Sequence, residues 1–328
     1  MRRWTRVFAL LAGWVLCPAV SLGQGSAAAP GLAPNKTLQI IVPNAPGGGP
    51  DFIARLIAPR LRDAFGQNVV VDNRPSNNGI VATEFLARAV ADGSIIGFGN
   101  GGTHAINATL YKKLPYDPVR DFAAISELAS ASIVLVTHPK LAANSVRELI
   151  AAAKQAPGKL NIAIAGATGE VAGNAFKLQA GIEMNNVNYK GGAPAVIAII
   201  SGDAHMTLTN YTAVATQVEA GRLKLLGVTS ARRAPQLPNV PTFAENGLEG
   251  YDFSIWYGLF APAKTPPAIV QAYYREVARI INLPEISERL AATGHEVIGS
   301  TPEQFSEKVK REVEKYRKII LESGMQQE

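Results

Sequence analysis

The feature that most constrains this chain is a repeated unit: a strand-length apolar run, a loop of glycine or small polar residues, then a helical pattern. Leu38 to Val42 is continuously apolar, as suits a strand buried on both faces of a parallel sheet, and the loop Pro43 to Pro50 (PNAPGGGP) follows at once. From Phe52 onward Ile53, Leu56, Ile57, Leu61 and Phe65 recur at helical spacing, with Gly66 placed to cap the end. The unit then repeats in form. Val69 to Val71 is a strand, Asn73 to Gly79 a loop, Ile80 to Ala91 a helix and Ser94 to Phe98 the next strand. After Pro115 to Asp121 a second set begins, with strands expected at Ile133–Val136, Leu160–Ala165, Val187–Tyr189, His205–Leu208 and Leu223–Val228 and helices between them. Alternation of this kind is the grammar of a right-handed parallel α/β sheet. It supplies more strands than one small sheet needs, so two lobes are expected.

Five of the loops stand where a strand ends and a helix begins: Pro43 to Pro50, Gly99 to His104, Gly166 to Gly169, Gly191 to Pro194 and Thr209 to Tyr211. A helix N-terminus carries unpaired N–H groups and the positive end of the helix dipole, so several facing one cleft can hold an anion without metal or lysine. Small residues let the anion approach the backbone closely.

Further along, Ser145 and Glu148 form a capping box for a helix through Lys154. Pro235 to Gly250 is loop-like, and Tyr251 to Phe260 reads as an extended segment. Helices at Ala268–Asn282 and Gln304–Leu321 close the chain. The last has a capping box at Thr301 and Gln304, and places Phe305, Val309, Val313, Tyr316 and Ile320 on one face, which calls for docking on an earlier sheet.

The N-terminus has the layout of a secretory signal: Arg2, Arg3 and Arg6, an apolar run from Val7 to Leu16, then small residues through Ala29. A bilayer span needs about 20 apolar residues, so this run is too short to anchor the chain. Cleavage is expected after Gly23 or within Ala27 to Ala29, with a mobile leader at 30–36. Leu16 before Cys17 argues against lipidation, and the residues after Arg2 and Arg3 do not complete a twin-arginine motif. Cys17 is the only cysteine, so the mature chain has no disulfide, thiolate metal site or cysteine nucleophile. The formal charge is +6, and removing the signal's three arginines leaves +3. That excess is too small and too scattered to support nucleic-acid binding, although it can draw in small anions.

The segments IIVPNAPGGGPDFIARLIAPRL, VVVDNRP, GNGGTHAINATLYKKLPYDPVRDFAAI, NYKGGAPAV and IWYGLFAPAKTP resemble, in order, the periplasmic solute-binding receptors of tripartite tricarboxylate transporters, the Bug proteins. The likeness runs from about Leu38 to the C-terminus. It implies an α/β, two-lobed periplasmic binding protein fold of type II with two interlobe crossovers, near Ile125–Ile133 and Phe253–Tyr257. Residues 37–130 with 256–328 would form lobe I, and 131–255 lobe II. A small carboxylate ligand, membrane permease subunits as partners, no cofactor, no metal and a periplasmic location follow from the likeness, and a monomer is expected. Carried over by position, the first lobe would hold the ligand with Ala45, Gly47, Gly48, Gly49 and Asp51 and with Asn100, Gly101, Thr103 and His104. The second would use Gly166, Thr168, Gly169, Thr209 and Asn210.

Two positions depart from the family pattern. Pro50 stands where a Thr or Ser is usual before the aspartate, and either removes a donor or sits harmlessly in a first helical turn. Thr209 stands where many members have Asp, which argues against a ligand bearing an ammonium group.

Each signal also has a plainer reading. Asp51 beside a bound carboxylate would repel it, so capping of the helix N-terminus is the better role. His104 serves equally as ligand donor or loop support. His138, His205 and His295 have no ligand-like spacing for a metal. Gly97, Gly99 and Gly102 match a dinucleotide fingerprint, but after the third strand and with Asp117 in a Pro-flanked loop. Trp256 and Tyr257 read as core or hinge packing in preference to cleft wall. No nucleophile elbow, zinc helix motif or Walker loop is present, so the chain is expected not to be an enzyme. An exported hydrolase using Ser94 or Thr168, and a sensory receptor for a membrane kinase, are the alternatives from other classes.

Overall fold

The computed structural model describes residues 36–189 and 192–325. The expected signal, nearly all of the leader, and Gly191 of the fourth loop lie outside the described residues.

The first half of the chain builds the repeat as read. β1 (Leu38–Val42) leads into α1 (Gly49–Phe65), which Gly66 ends in the left-handed conformation at φ 65°. β2 (Val69–Asn73), α2 (Ile80–Arg88) and β3 (Ile95–Asn100) follow. β1 pairs in parallel with both β2 and β3. Beyond β3 the chain makes a wide helical turn over Gly102–Ile106 that runs straight into α3 (Asn107–Leu110).

β4 (Phe122–Thr137) is a single strand of 16 residues, where the sequence pattern marked only Ile133–Val136. Polar Ser126, Glu127, Ser130 and Ser132 interrupt its apolar run, yet Ser126 and Glu127 are buried. The remaining elements are α4 (Val146–Gln155), β5 (Asn161–Ala165), α5 (Gly166–Ala180), β6 (Asn185–Tyr189), α6 (Gly192–Ser201), β7 (Met206–Asn210), α7 (Tyr211–Glu219) and β8 (Lys224–Val228). After a loop come β9 (Ser254–Pro262), α8 (Pro267–Ile281), α9 (Pro284–Ala292), β10 (His295–Val297) and α10 (Pro302–Glu322).

The fold is two-lobed, and β4 joins the halves. Its first part, Phe122–Ser132, pairs antiparallel with β9, and Ala129–Ala131 pair with β10 on the other side. Its second part pairs antiparallel with β7 and β8. The strand order β2-β1-β3-β9-β4 thus passes into β4-β7-β5-β6. This corrects the expectation of purely parallel sheets: the strands that cross between lobes run against their neighbours. The two crossings are laced together, with Thr229 N donating to Ile133 O at 2.9 Å and Thr229 Oγ1 donating to Phe253 O. Ser132 Oγ and Ser230 Oγ lie 3.0 Å apart.

The capping box on α10 forms as read, Thr301 Oγ1 accepting from Gln304 N while Gln304 Oε1 accepts from Thr301 N. Its apolar face does more than dock on one sheet. Phe305 and Val309 enter a cluster with Leu86 of α2 and with Phe122, Trp256 and Phe260 of the first sheet. About two to three turns later Tyr316 and Ile320 enter a different cluster, with Val171 and Phe176 of α5 and Ala105, Ile106 and Leu110 before and within α3. The last helix therefore packs into both lobes.

Candidate functional site

The loop before α1 is held by its own residues. Gly47 adopts φ 89°, a region that favours glycine, and its N–H donates to Asp51 Oδ2 at 2.9 Å. Asp51 Oδ1 accepts from Arg55 Nε at 2.9 Å. Burial alone would raise the Asp51 carboxyl, but these bonds hold it below the usual carboxylate range. Asp51 is thus a buried brace of the turn and does not face the cleft. Pro50 occupies the first turn of α1, where a missing N–H breaks no helical bond. The N-cap, Gly48, supplies no side-chain cap, so the first N–H groups of α1 stay open to the interlobe space.

The loop after β3 closes on itself through Asn100 N donating to Thr103 Oγ1 at 3.0 Å and Thr103 N donating to Asn100 Oδ1 at 3.1 Å. His104, expected as a contact or support, is wholly support. It is fully buried, its ring stacked 4.0 Å from that of Phe260 and set edgewise to Phe122. Burial drives its pKa down to about 3, so it is neutral, and its Nδ1 lies 2.9 Å from Thr103 Oγ1. Gly99 is required beneath it: a Cβ there would sit 2.4 Å from His104 Nδ1.

In the second lobe, Gly166 opens α5 and Thr168 lies in its first turn, and no side chain caps this helix either. Thr209 and Asn210 end β7, and Asn210 is the N-cap of α7, again without a side-chain cap bond. Asn210 Oδ1 is buried and has no partner among the described residues. By contrast the N-termini of α4 and α10 are closed by Ser145 and Thr301.

Two chambers occupy the cleft. The narrow one, about 220 Å³, is bounded by Gly48 and Gly49 of α1, Asn100 to Gly102, and Thr168 of α5, with Tyr257 and Tyr316 as walls. The wide one, about 780 Å³, lies between Gly47 to Gly49 and Phe52 on one side and Asn210 to Thr212 on the other, and is closed by Ala291 to His295. Gly48, Gly49 and Tyr257 belong to both. No lysine or arginine lines either chamber among the described residues.

Of the residues expected to bind ligand, the structure brings Gly48, Gly49, Asn100, Gly101 and Thr168 to the narrow chamber and Gly47 and Asn210 to the wide one. Asp51, Thr103 and His104 are buried beneath the loops they shape, and Ala45, Gly169 and Thr209 stand beside the chambers without lining them. Sequence reading missed Tyr316, Phe52 and His295 as wall residues and set the wall role of Tyr257 second to core packing. Tyr257 and Tyr316 carried a signal, since each sits in an apolar pattern that must face something. His295 carried none, because β10 is only three residues long.

Chemically, the narrow chamber gathers backbone donors from α1, the turn at Gly102 and α5 around a space free of cationic side chains, which suits a carboxylate. Ser94, one of the two alternative nucleophiles, lines neither chamber, and its Oγ donates to Asp92 Oδ1 at 2.5 Å. Among the described residues no helix is long and apolar enough to cross a membrane.

Comparison with known proteins gives the same reading. The family model for the tripartite tricarboxylate transporter family receptor matches residues 53–325. Protein BugT of Bordetella pertussis is 32% identical over 294 residues, 89% of this chain and 90% of BugT. The solved structure of Rpa4515 of R. palustris with adipate superposes at TM-score 0.76 and 34% identity, covering 88% of this chain and 97% of that one. MatC (Rpa3494) from Rhodopseudomonas palustris with bound malate superposes at TM-score 0.73 and 26% identity, covering 87% and 99%.

Proposed function

The chain belongs to the tripartite tricarboxylate transporter receptor family, and from that premise we propose that it captures a small carboxylate between its lobes in the periplasm and presents it to a membrane transporter. The observation that carries this reading is the convergence of uncapped helix N-termini from both lobes on one narrow chamber. Residues 37–130 with 256–328 act as one lobe and 131–255 as the other, moving about the laced crossings at Thr229 and Ser132. The adipate and malate bound to the two structural neighbours support the ligand class.

Backbone donors suffice for the affinity such a receptor needs. Micromolar binding corresponds to about 8 kcal/mol. A hydrogen bond to a charged group contributes about 1.5–3 kcal/mol, so four to six donors supply about 6–18 kcal/mol before the cost of ordering and closure is subtracted. In this reading Gly49, Gly101, Gly102 and Thr168 give them, while Asp51, Thr103 and His104 hold the loops in shape. Ligand held by one lobe recruits donors from the other and shifts an open-to-closed equilibrium.

The test is calorimetric titration of the purified mature chain with a panel of carboxylates, with X-ray scattering at saturation. Binding of at least one carboxylate, its loss in Thr168→Val with Gly101→Val, and a smaller radius of gyration with ligand are expected. A panel with no binder would sink the reading, and binding without a change in scattering would remove the closure step.

A further inference from the structure

The divider between the two chambers is itself equipped as a ligand contact. Tyr257 lies on β9 opposite Asn100 of β3, and is 6% exposed. Its hydroxyl makes no hydrogen bond to any described residue, although the ring is held among Ile53, Ala129 and their neighbours in the first-lobe core. The ring is buried but the hydroxyl opens onto the two chambers that Tyr257 lines, where it is free to donate to an acceptor that arrives from outside the fold. The ring also explains Gly49: a Cβ at that position would stand 2.8 Å from both Cζ and the hydroxyl oxygen. The phenol is thus pressed against the open N-terminus of α1, where an anion would gather.

The two chambers differ in chemistry. The narrow one is edged by backbone donors. The wide one presents the rings of Phe52, Tyr257 and His295, with His295 and Phe52 near-parallel at 6.2 Å and His295 and Tyr257 at 5.4 Å. Burial holds the His295 pKa below its usual value, which keeps the ring uncharged at neutral pH. The one formal charge that lines the wide chamber among the described residues is Glu219, a carboxylate that disfavours a second anion. The open first turn of α7 and the unpartnered Asn210 Oδ1 add polar capacity there, and Oδ1 calls for a donor from the ligand, not an acceptor.

Resting on the carboxylate-receptor reading above, we propose that the Tyr257 hydroxyl grips the ligand's carboxylate at the mouth of the narrow chamber. The wide chamber then selects an uncharged, ring-bearing body, so the substrate class is aromatic monocarboxylic acids. The phenol keeps its proton through neutral pH, since burial pushes its pKa up to about 12, and it acts as a donor throughout that range.

Calorimetry with phenylacetate, adipate and propionate tests this on the wild-type mature chain and two variants. Wild type should bind phenylacetate at least tenfold more tightly than adipate. Tyr257→Phe keeps the ring against Gly49 and removes only the donor, so all three acids should weaken by about tenfold to a hundredfold with an unchanged melting temperature. Ala215→Phe, on the α7 wall of the wide chamber, should weaken phenylacetate at least tenfold and leave propionate unchanged. Adipate binding more tightly than phenylacetate, or Tyr257→Phe binding like wild type, would overturn the proposal while leaving the receptor reading intact. Failure of all three acids and of the wider carboxylate panel would remove both together.

Discussion

Removing the ammonium of Lys308 should cost this protein more than removing the carboxylate it serves. Lys308 Nζ on α10 meets Glu127 Oε1 on β4 at 2.5 Å, and the side chains are 28% and 4% exposed. Burial raises the Glu127 pKa and Lys308 opposes the rise, while Glu312 and Asp252 add to it. Lys308→Met would leave a buried carboxylate facing two other acids. Stranding one member of a buried pair costs about 3–5 kcal/mol, and the partial exposure of Lys308 brings this to about 2–4 kcal/mol. With a urea m-value of about 3 kcal/mol/M, the midpoint should fall by about 1 M at pH 7. Adding Glu127→Gln should restore most of the loss, because the amide no longer bears charge. The pH dependence has a defined sign. An acid whose folded pKa lies above its unfolded one binds more protons when folded, so its contribution to stability falls as pH rises through that window. The deficit of Lys308→Met should accordingly shrink between pH 7 and pH 5. Urea titrations of the two variants at both pH values check this. A single variant within about 0.5 kcal/mol of wild type, or a double variant no more stable than the single, would refute the reasoning.

Three further outcomes are expected. His104→Phe should flatten the acid limb of stability in urea titrations. The native His104 titrates near 3 against an ordinary 6.5, so its contribution falls by about 1.4 kcal/mol per pH unit as pH drops through that interval. Gly258→Ala would set a Cβ 2.1 Å from Phe305 Cζ and should lower stability by about 1–3 kcal/mol in urea, with Phe305→Leu in the same chain recovering part of it. Burial opposes, but bonds from Lys36 and Ser94 prevail to hold Asp92 at about 2. Its contribution is present above about pH 4 and lost as pH falls toward 2, so Asp92→Asn should show a flatter stability profile across that range.

How legible the molecule was depends on which residues are asked. Strands buried on both faces announced themselves, because Leu38 to Val42 and Leu223 to Val228 can satisfy their apolar side chains only inside a covered sheet. Helix ends were legible where the cap is chemical, as at Gly66 and Thr301. The length of β4 was hidden: its serines and Glu127 read as a loop, and their partners, Ser300 and Lys308, lie more than 170 residues away. The glycine loops were read as ligand contacts throughout, and half of that reading concerned position more than contact. A residue that shapes a loop from beneath, such as Asp51 or His104, carries the same local signal as one that touches what the loop holds. Only the fold separates them. Tyr257 shows the reverse case, since an aromatic in a buried strand gives no hint that its hydroxyl lacks a partner.

The last helix has a consequence for how the molecule comes into being. Phe305 and Val309 complete the interior of one half, Tyr316 and Ile320 that of the other. Until α10 is in place neither half is finished, because Phe260 lacks the ring of Phe305 and Phe253 lacks that of Tyr316. Assembly of both halves must therefore wait for α10, and a stop before Pro302 would disable the two together.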